Sequence, residues 1–168
     1  MSKAKNSSRR AERAQAFQVL YGLSFAAGAT LRDVRRAFLL YPDNRDVEPV
    51  EDESLLPPPS GFAWELVQGV WTRAEELDQH LARFSRNWRV DRMGRVERTI
   101  LRLAMFELLY RTDVPPRVTI AEALDLTRQF GEDNAAAFVN GILDAATKAA
   151  ENGSLRPDAP EDGPQAAR

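Results

Sequence analysis

NWRVDRMGRVERTILRLAMFELLYRTDVPPRVTIAEALDLTRQFGEDNAAAFVNGILD, residues 87–144, reads as three consecutive helices with short joints. The first is almost wholly apolar after Val96, with Ile100, Leu101, Leu103, Ala104, Leu108 and Leu109 covering more than one face. A helix with so wide an apolar surface belongs in the middle of a helical domain. The second is expected to open on Thr119-Ile-Ala-Glu122 as a capping box, with Thr119 accepting from the backbone three residues on and Glu122 reaching back. It stops at Phe130-Gly131, where glycine can take the left-handed conformation that ends a helix. The third carries Phe138-Val-Asn-Gly141. An interior glycine costs about 1 kcal/mol against alanine, so Gly141 is expected to permit close backbone packing.

Outward from this stretch the helical pattern continues. A first helix can start at Ser7 or Ser8, both good N-cap residues, and bury Ala14, Phe17, Leu20 and Tyr21 on its way toward Ser24. Gly28 precedes a second helix with Leu31, Val34, Phe38 and Leu39 at helical spacing. A third runs from about Phe62 to Ala74, and Leu77, Leu81 and Phe84 carry a fourth. No strand alternation of any length is present. The fold class expected is all-α: a compact bundle of about seven helices spanning residues 9–150, its short joints favouring antiparallel neighbours. Residues 1–8 are expected to be a flexible basic arm, 42–60 an acidic, proline-ended loop, and 151–168 a disordered tail with nothing apolar to bury.

Composition narrows the function classes. The chain has 168 residues, no cysteine and one histidine. That removes disulfides, thiolate zinc sites and cysteine nucleophiles. No apolar run approaches the ~18–20 residues that span a bilayer, and the amino terminus lacks the apolar core of a signal peptide. A cytoplasmic protein without membrane association is expected. His80 lies in the polar stretch EELDQHLARF and is expected to be exposed, without a catalytic or metal role. No glycine-rich phosphate loop is present. The expectation is no catalytic site, no metal and no cofactor.

The formal net charge of −2 hides an uneven distribution. Lys3, Lys5, Arg9, Arg10 and Arg13 face only Glu12 at the start, while Asp43, Asp46, Glu48, Glu51, Asp52 and Glu53 face only Arg45. Eight arginines fall between Arg83 and Arg111. Arginine outnumbers lysine 20 to 3, an excess that a GC-rich genome also produces, so placement carries more information than number. On one helix, Arg9 and Arg13 stand four apart and Arg10 and Arg13 three apart, forming one connected cationic patch. Guanidinium suits phosphate through its planar fork of donors. Gln18 and Tyr21 continue along that helix with an amide and an aromatic ring, a mixture that binds single-stranded RNA. A solvated basic helix end with Tyr21 in the core is the alternative.

The ordered features resemble the NusB family of bacterial transcription antitermination factors. The matching elements are Arg9-Arg-Ala-Glu-Arg13 with Gln18-Val-Leu-Tyr21, Trp88 with Arg92, VERTILRLAMFELL, the turn at Asp113 to Pro115, IAEALDLTRQFG and FVNGILD. Together they cover roughly residues 9 to 148. The resemblance implies a non-catalytic adapter that binds the boxA element of ribosomal RNA transcripts with NusE, a small-subunit ribosomal protein, within the elongating polymerase complex and its other Nus factors. It implies RNA contacts by Lys5, Arg9, Arg10, Arg13, Gln18 and Tyr21, with Phe130, Asn134 and Phe138 nearby. Asn134 stands where relatives often carry an acid, so phosphate is repelled less. Glu97 is implied to face NusE, with a salt bridge to Arg98 or Arg102 or a helix-start role as the alternatives. Core packing is the alternative for Phe138, and internal pairing is expected for Glu107. A rival reading is an RNA-binding accessory module related to the amino-terminal domain of ribosomal RNA cytosine methyltransferases.

Overall fold

The computed structural model describes residues 2–41, 54, 57–86 and 89–158, with side chains from residue 9 onward. Seven α-helices appear among these residues, and no strand. They are α1 (Ser2–Leu23), α2 (Leu31–Leu39), α3 (Phe62–Thr72), α4 (Ala74–Phe84), α5 (Arg95–Tyr110), α6 (Pro116–Phe130) and α7 (Ala135–Glu151), with a single 3-10 turn at Val90–Arg92. The apolar α5 touches α1, α3, α4, α6 and α7, which is why its buried residues run almost all round it. Helix α1 begins at Ser2, ahead of the expected Ser7 or Ser8 start. The side chain of Lys5, the loop at 42–53, Trp88 and residues 159–168 lie outside the described residues.

Several local expectations are corrected by tertiary partners. Helix α6 starts at Pro116, not at Thr119. Proline's fixed φ and missing donor suit a first helical position, so the Pro115-Pro116 pair sets the start and the capping box does not form. Thr119 is instead buried, and its hydroxyl donates to Glu107 at 3.2 Å. Capping boxes do work elsewhere: Thr30 and Asp33 close one reciprocally at α2, with 2.7 Å from the Thr30 N–H to the Asp33 carboxylate. Helix α3 borrows its cap, the Glu12 carboxylate accepting from the Ala63 N–H at 2.9 Å.

At the end of α6, Gly131 is extended (φ −92°, ψ 179°) and not left-handed. A Cβ there would lie 2.7 Å from the Thr127 carbonyl oxygen, so close approach is what excludes a side chain. The left-handed terminator is Gly153 (φ 78°), beyond α7, where Asn152 bonds back to Lys148 and Leu155 to Ala149. That turn buries Leu155 against the core, so the carboxy-terminal segment is ordered as far as it is described. His80 is also buried, at 6% exposure, on the inner face of α4. Its Nε2 lies 3.4 Å from Asp158 and 3.8 Å from Glu76, although neither ring nitrogen makes a hydrogen bond.

The most buried ion pair among the described residues joins α1 to α5. Arg13 is 5% exposed and grips Glu107 with two bonds, Nε to Oε1 at 2.7 Å and an Nη to Oε2 at 2.9 Å. Glu107 is thus the internally paired acid expected, but Arg13 is no part of an exposed patch. Breaking a buried pair from one side strands a charge and costs about 3–5 kcal/mol. Arg13→Ala is therefore expected to lose about that much in urea unfolding, and joint replacement by Arg13→Met and Glu107→Leu much less. An Arg13→Ala variant of wild-type stability would show that the pair has no structural role.

The helical glycines at 69 and 141 have opposite surroundings. A Cβ at Gly69 would collide with the Phe106 ring, so this glycine is what lets α3 close on α5. A Cβ at Gly141 would meet nothing within 4 Å, and the residue is exposed, which corrects the close-packing expectation. Gly69→Ala should therefore destabilise by about 1–3 kcal/mol through overpacking, whereas Gly141→Ala should stabilise by up to about 1 kcal/mol. Thermal unfolding of the two variants reads the signs directly, and equal signs would contradict this packing.

Candidate nucleic-acid interface

The expected site residues separate into two places. Tyr21, Glu97, Phe130, Asn134 and Phe138 meet around one open groove of about 790 Å³, between the end of α1, the start of α5 and the α6–α7 joint. Arg9, Arg10 and Arg13 do not line it. Gln18 is exposed on α1, where its side-chain carbonyl accepts from the Tyr41 hydroxyl.

Aromatic contacts build the groove. Phe130 packs on buried Phe17 with ring centres 4.7 Å apart, Phe17 stacks on Tyr21 at 5.7 Å, and Tyr21 meets the edge of Phe25 at 5.1 Å. The ladder thus climbs from the core to Phe25, which is 60% exposed. Arg95 lies over the Phe25 ring at 4.5 Å and donates to the Ser24 carbonyl, so its guanidinium is held at the groove wall. Arg92 lines the same wall from the turn before α5. Phe138 enters half-buried from the first turn of α7. Asn134 takes the N-cap position of α7 without a side-chain cap bond, leaving its amide exposed beside the groove.

Glu97 lies in the first turn of α5, where the helix N-terminus favours a negative charge. Its carboxylate folds across Gly94 toward Gly131, 3.5 Å from where a Gly131 Cβ would stand. The salt-bridge partners expected for it are engaged elsewhere: Arg102 pairs with Asp78 at 2.5 Å, and Arg98 donates to the Asp91 carbonyl at 3.1 Å. Two acids, Glu97 and the exposed Glu132, therefore share the groove with two arginines and four aromatic rings. Sequence reading missed Phe25, Arg92 and Arg95. The available signal was an apolar residue just past a helix end, together with arginines three apart where the next helix begins.

The amino-terminal arginines are mostly neutralised. Arg9 pairs with Asp113 at 3.1 Å, and Arg10 with Glu122 at 3.0 Å and Asp125 at 2.8 Å. Arg9, Arg13 and Arg111 also surround the Phe62 ring at 4.8, 5.0 and 5.1 Å. This end of α1 is a latch to α3, α5 and α6 more than a free cationic patch. No helix among the described residues is long and apolar enough to cross a membrane.

The described residues thus form a helical bundle that carries one mixed aromatic, cationic and acidic groove. Residues 10–148 match the NusB family. The transcription antitermination protein NusB of Desulfovibrio desulfuricans is 57% identical over 156 residues, which span 93% of this chain and 94% of that protein. Its counterpart in Nitratidesulfovibrio vulgaris (strain DP4) is 54% identical over 150 residues, 89% of this chain and 94% of its own length. T. maritima NusB superposes with a TM-score of 0.66 at 29% identity, covering 83% of this chain and 90% of that one. A crystal structure of antitermination factors NusB and NusE in complex with dsRNA gives 0.65 at 26% identity, with 84% and 96% covered. The chain belongs to the NusB family: it is a transcription antitermination factor and not an enzyme.

The arginine latch makes a pH prediction. Hydrogen bonds from Arg111 and then Arg9 hold the Asp113 carboxyl at about 2, below its ordinary 3.8. Because it titrates lower folded than unfolded, its contribution is complete above about pH 4 and fades as pH falls toward about 2. Asp113→Asn should therefore lower the unfolding midpoint at about pH 5 and hardly change it near pH 2. An equal deficit at both would mean that these bonds do not stabilise the fold.

Proposed function

We propose that this chain binds single-stranded boxA-type RNA of ribosomal RNA transcripts together with the NusE ribosomal protein. On this reading it is a cytoplasmic adapter in the elongating polymerase complex with other Nus factors. The observation that carries the proposal is the groove where Tyr21, Phe25, Phe130 and Phe138 meet Arg92 and Arg95. Aromatic faces stack on unpaired bases, and arginines track phosphates or lie flat on bases. Duplex RNA withholds its base faces, so a single strand suits these rings better. Asn134 adds an amide donor at the rim without a negative charge. Arg9 and Arg10 can extend the path only by exchanging partners with Asp113, Glu122 and Asp125, and the family resemblance adds Lys5 and Gln18 to it. Arg13 belongs to the scaffold.

The partner half of the proposal rests on Glu97, an acid presented to a basic ribosomal protein, and on the solved NusB–NusE relative of the same fold. The methyltransferase-module reading draws no support from relatives that share about nine-tenths of this chain and are named antitermination proteins.

Binding of a boxA oligonucleotide, followed across salt concentrations, tests the groove. Each phosphate neutralised on a single strand contributes about −0.7 to the slope of log affinity against log salt. Joint replacement of Arg92 and Arg95 by alanine should flatten the slope by roughly that much for each phosphate left without its arginine, and Phe138→Ala should cost about 1–3 kcal/mol of stacking. Glu97→Lys should weaken NusE binding while leaving binding to RNA alone intact or stronger. Folded variants that keep wild-type RNA affinity and slope would move the RNA site elsewhere.

A further inference from the structure

Resting on that RNA reading, we infer that the RNA track continues past Phe138 into a second groove, between the end of α4 and the first turns of α7, that takes further nucleotides of the same strand. This groove has a volume of about 520 Å³, within the range of ligand-sized sites. Phe138 lines both grooves, so a strand stacked on this ring in the first groove lies next to the second.

The chemistry of the second groove is one-signed. Arg83 and Arg86 line it, and among the described residues no carboxylate does. Arg83 is anchored by a 3.3 Å bond to the Ser154 carbonyl and lies 5.6 Å from the Phe84 ring, which leaves further N–H donors for phosphate. Arg86 is exposed. Ser85, also in the lining, is only 6% exposed, yet its hydroxyl makes no hydrogen bond. A buried hydroxyl without a partner is unfavourable, and a small turn of the Ser85 side chain toward the groove would let a ribose hydroxyl or base edge satisfy it. Gly141 faces open space here, so nothing on α7 fills the room a nucleotide needs. Two arginines without an acid repel a basic protein surface and attract a polyanion, which selects RNA over NusE for this groove.

Full-length protein and a graded set of RNAs test this. A short boxA core is compared with the same core extended by about three nucleotides at one end or the other, using fluorescence anisotropy. Extension at one end should raise wild-type affinity by roughly tenfold, the size of one added base stack. Arg86→Glu and, separately, Gly141→Gln should lose that gain while binding the short core as wild type does. Glutamine favours the helix over glycine, so the second variant tests the groove without relying on a charge change or on weakened folding. Extension without gain at either end would overturn the inference, as would variants that keep the gain. Variants that lose NusE binding or self-association instead would also overturn it by assigning the groove to a protein. Failure of the short core to bind at all would be recognised separately, as failure of the RNA reading itself.

Discussion

Removing Arg13 and Glu107 from water together is the constraint on which the other helices depend. Each charge is nearly inaccessible, so each must find its partner in the fold. Arg13 fixes α1 against α5, and Thr119 brings α6 to the same carboxylate. Around them Glu12 caps α3, and Phe62 receives guanidiniums from both α1 and Arg111. Four helices are thereby locked at one end of α1. Tyr21 lies eight residues further along the same rigid helix, about 12 Å away, and so arrives at the α6–α7 joint with little freedom. The groove is the downstream consequence of a buried ion pair that does not itself line it.

The same pairing changes where usable positive charge lies. The formal count favours the first turns of α1, yet those arginines face Asp113, Glu122, Asp125 and Glu107 from elements a hundred or so residues away in sequence. Arginines of the α4–α5 connection flank both grooves instead. A bound phosphate gains most from a cation that has no carboxylate to give up, because exchanging one partner for another returns little net free energy. Charge runs in a sequence therefore identify arginines without identifying the free ones.

Periodicity was enough to find every α-helix among the described residues, because burial of an apolar stripe is a property of the stripe itself: Val34, Phe38, Leu66, Leu77, Leu81 and Ile100 all end in the core. The misreadings share a different cause. Thr119 and Glu122 spell a cap, but Pro115-Pro116 starts the helix earlier, and Glu107 and Arg10 take the two side chains. His80 sits among polar neighbours in sequence and on the inner side of α4 in space. Gly141 looks like a packing contact and is open surface, whereas Gly69, which does permit one, has no sequence mark to distinguish it. In the site, the family resemblance pointed to Tyr21, Phe130, Phe138 and Glu97, which line one groove. Phe25 and Arg95 were not legible, since their pairing crosses from the end of α1 to the start of α5.

An acid within a groove proposed for RNA looks like a defect until the partner is considered. A phosphate about 8 Å from Glu97 would be repelled by roughly 0.5–2 kcal/mol, depending on whether the effective dielectric is nearer 80 or 20. A cation of NusE placed against that carboxylate would remove most of this repulsion before the RNA arrives. Cooperativity of about 1 kcal/mol then needs no conformational change and no contact between NusE and RNA. Thermodynamic linkage makes the effect mutual, so RNA would favour the partner by the same amount. Neutralising the acid by Glu97→Gln should therefore strengthen RNA binding in the absence of NusE and shrink the coupling measured with it. Coupling unchanged in that variant would require a rearrangement of the helices, which the buried Arg13–Glu107 bond is built to resist.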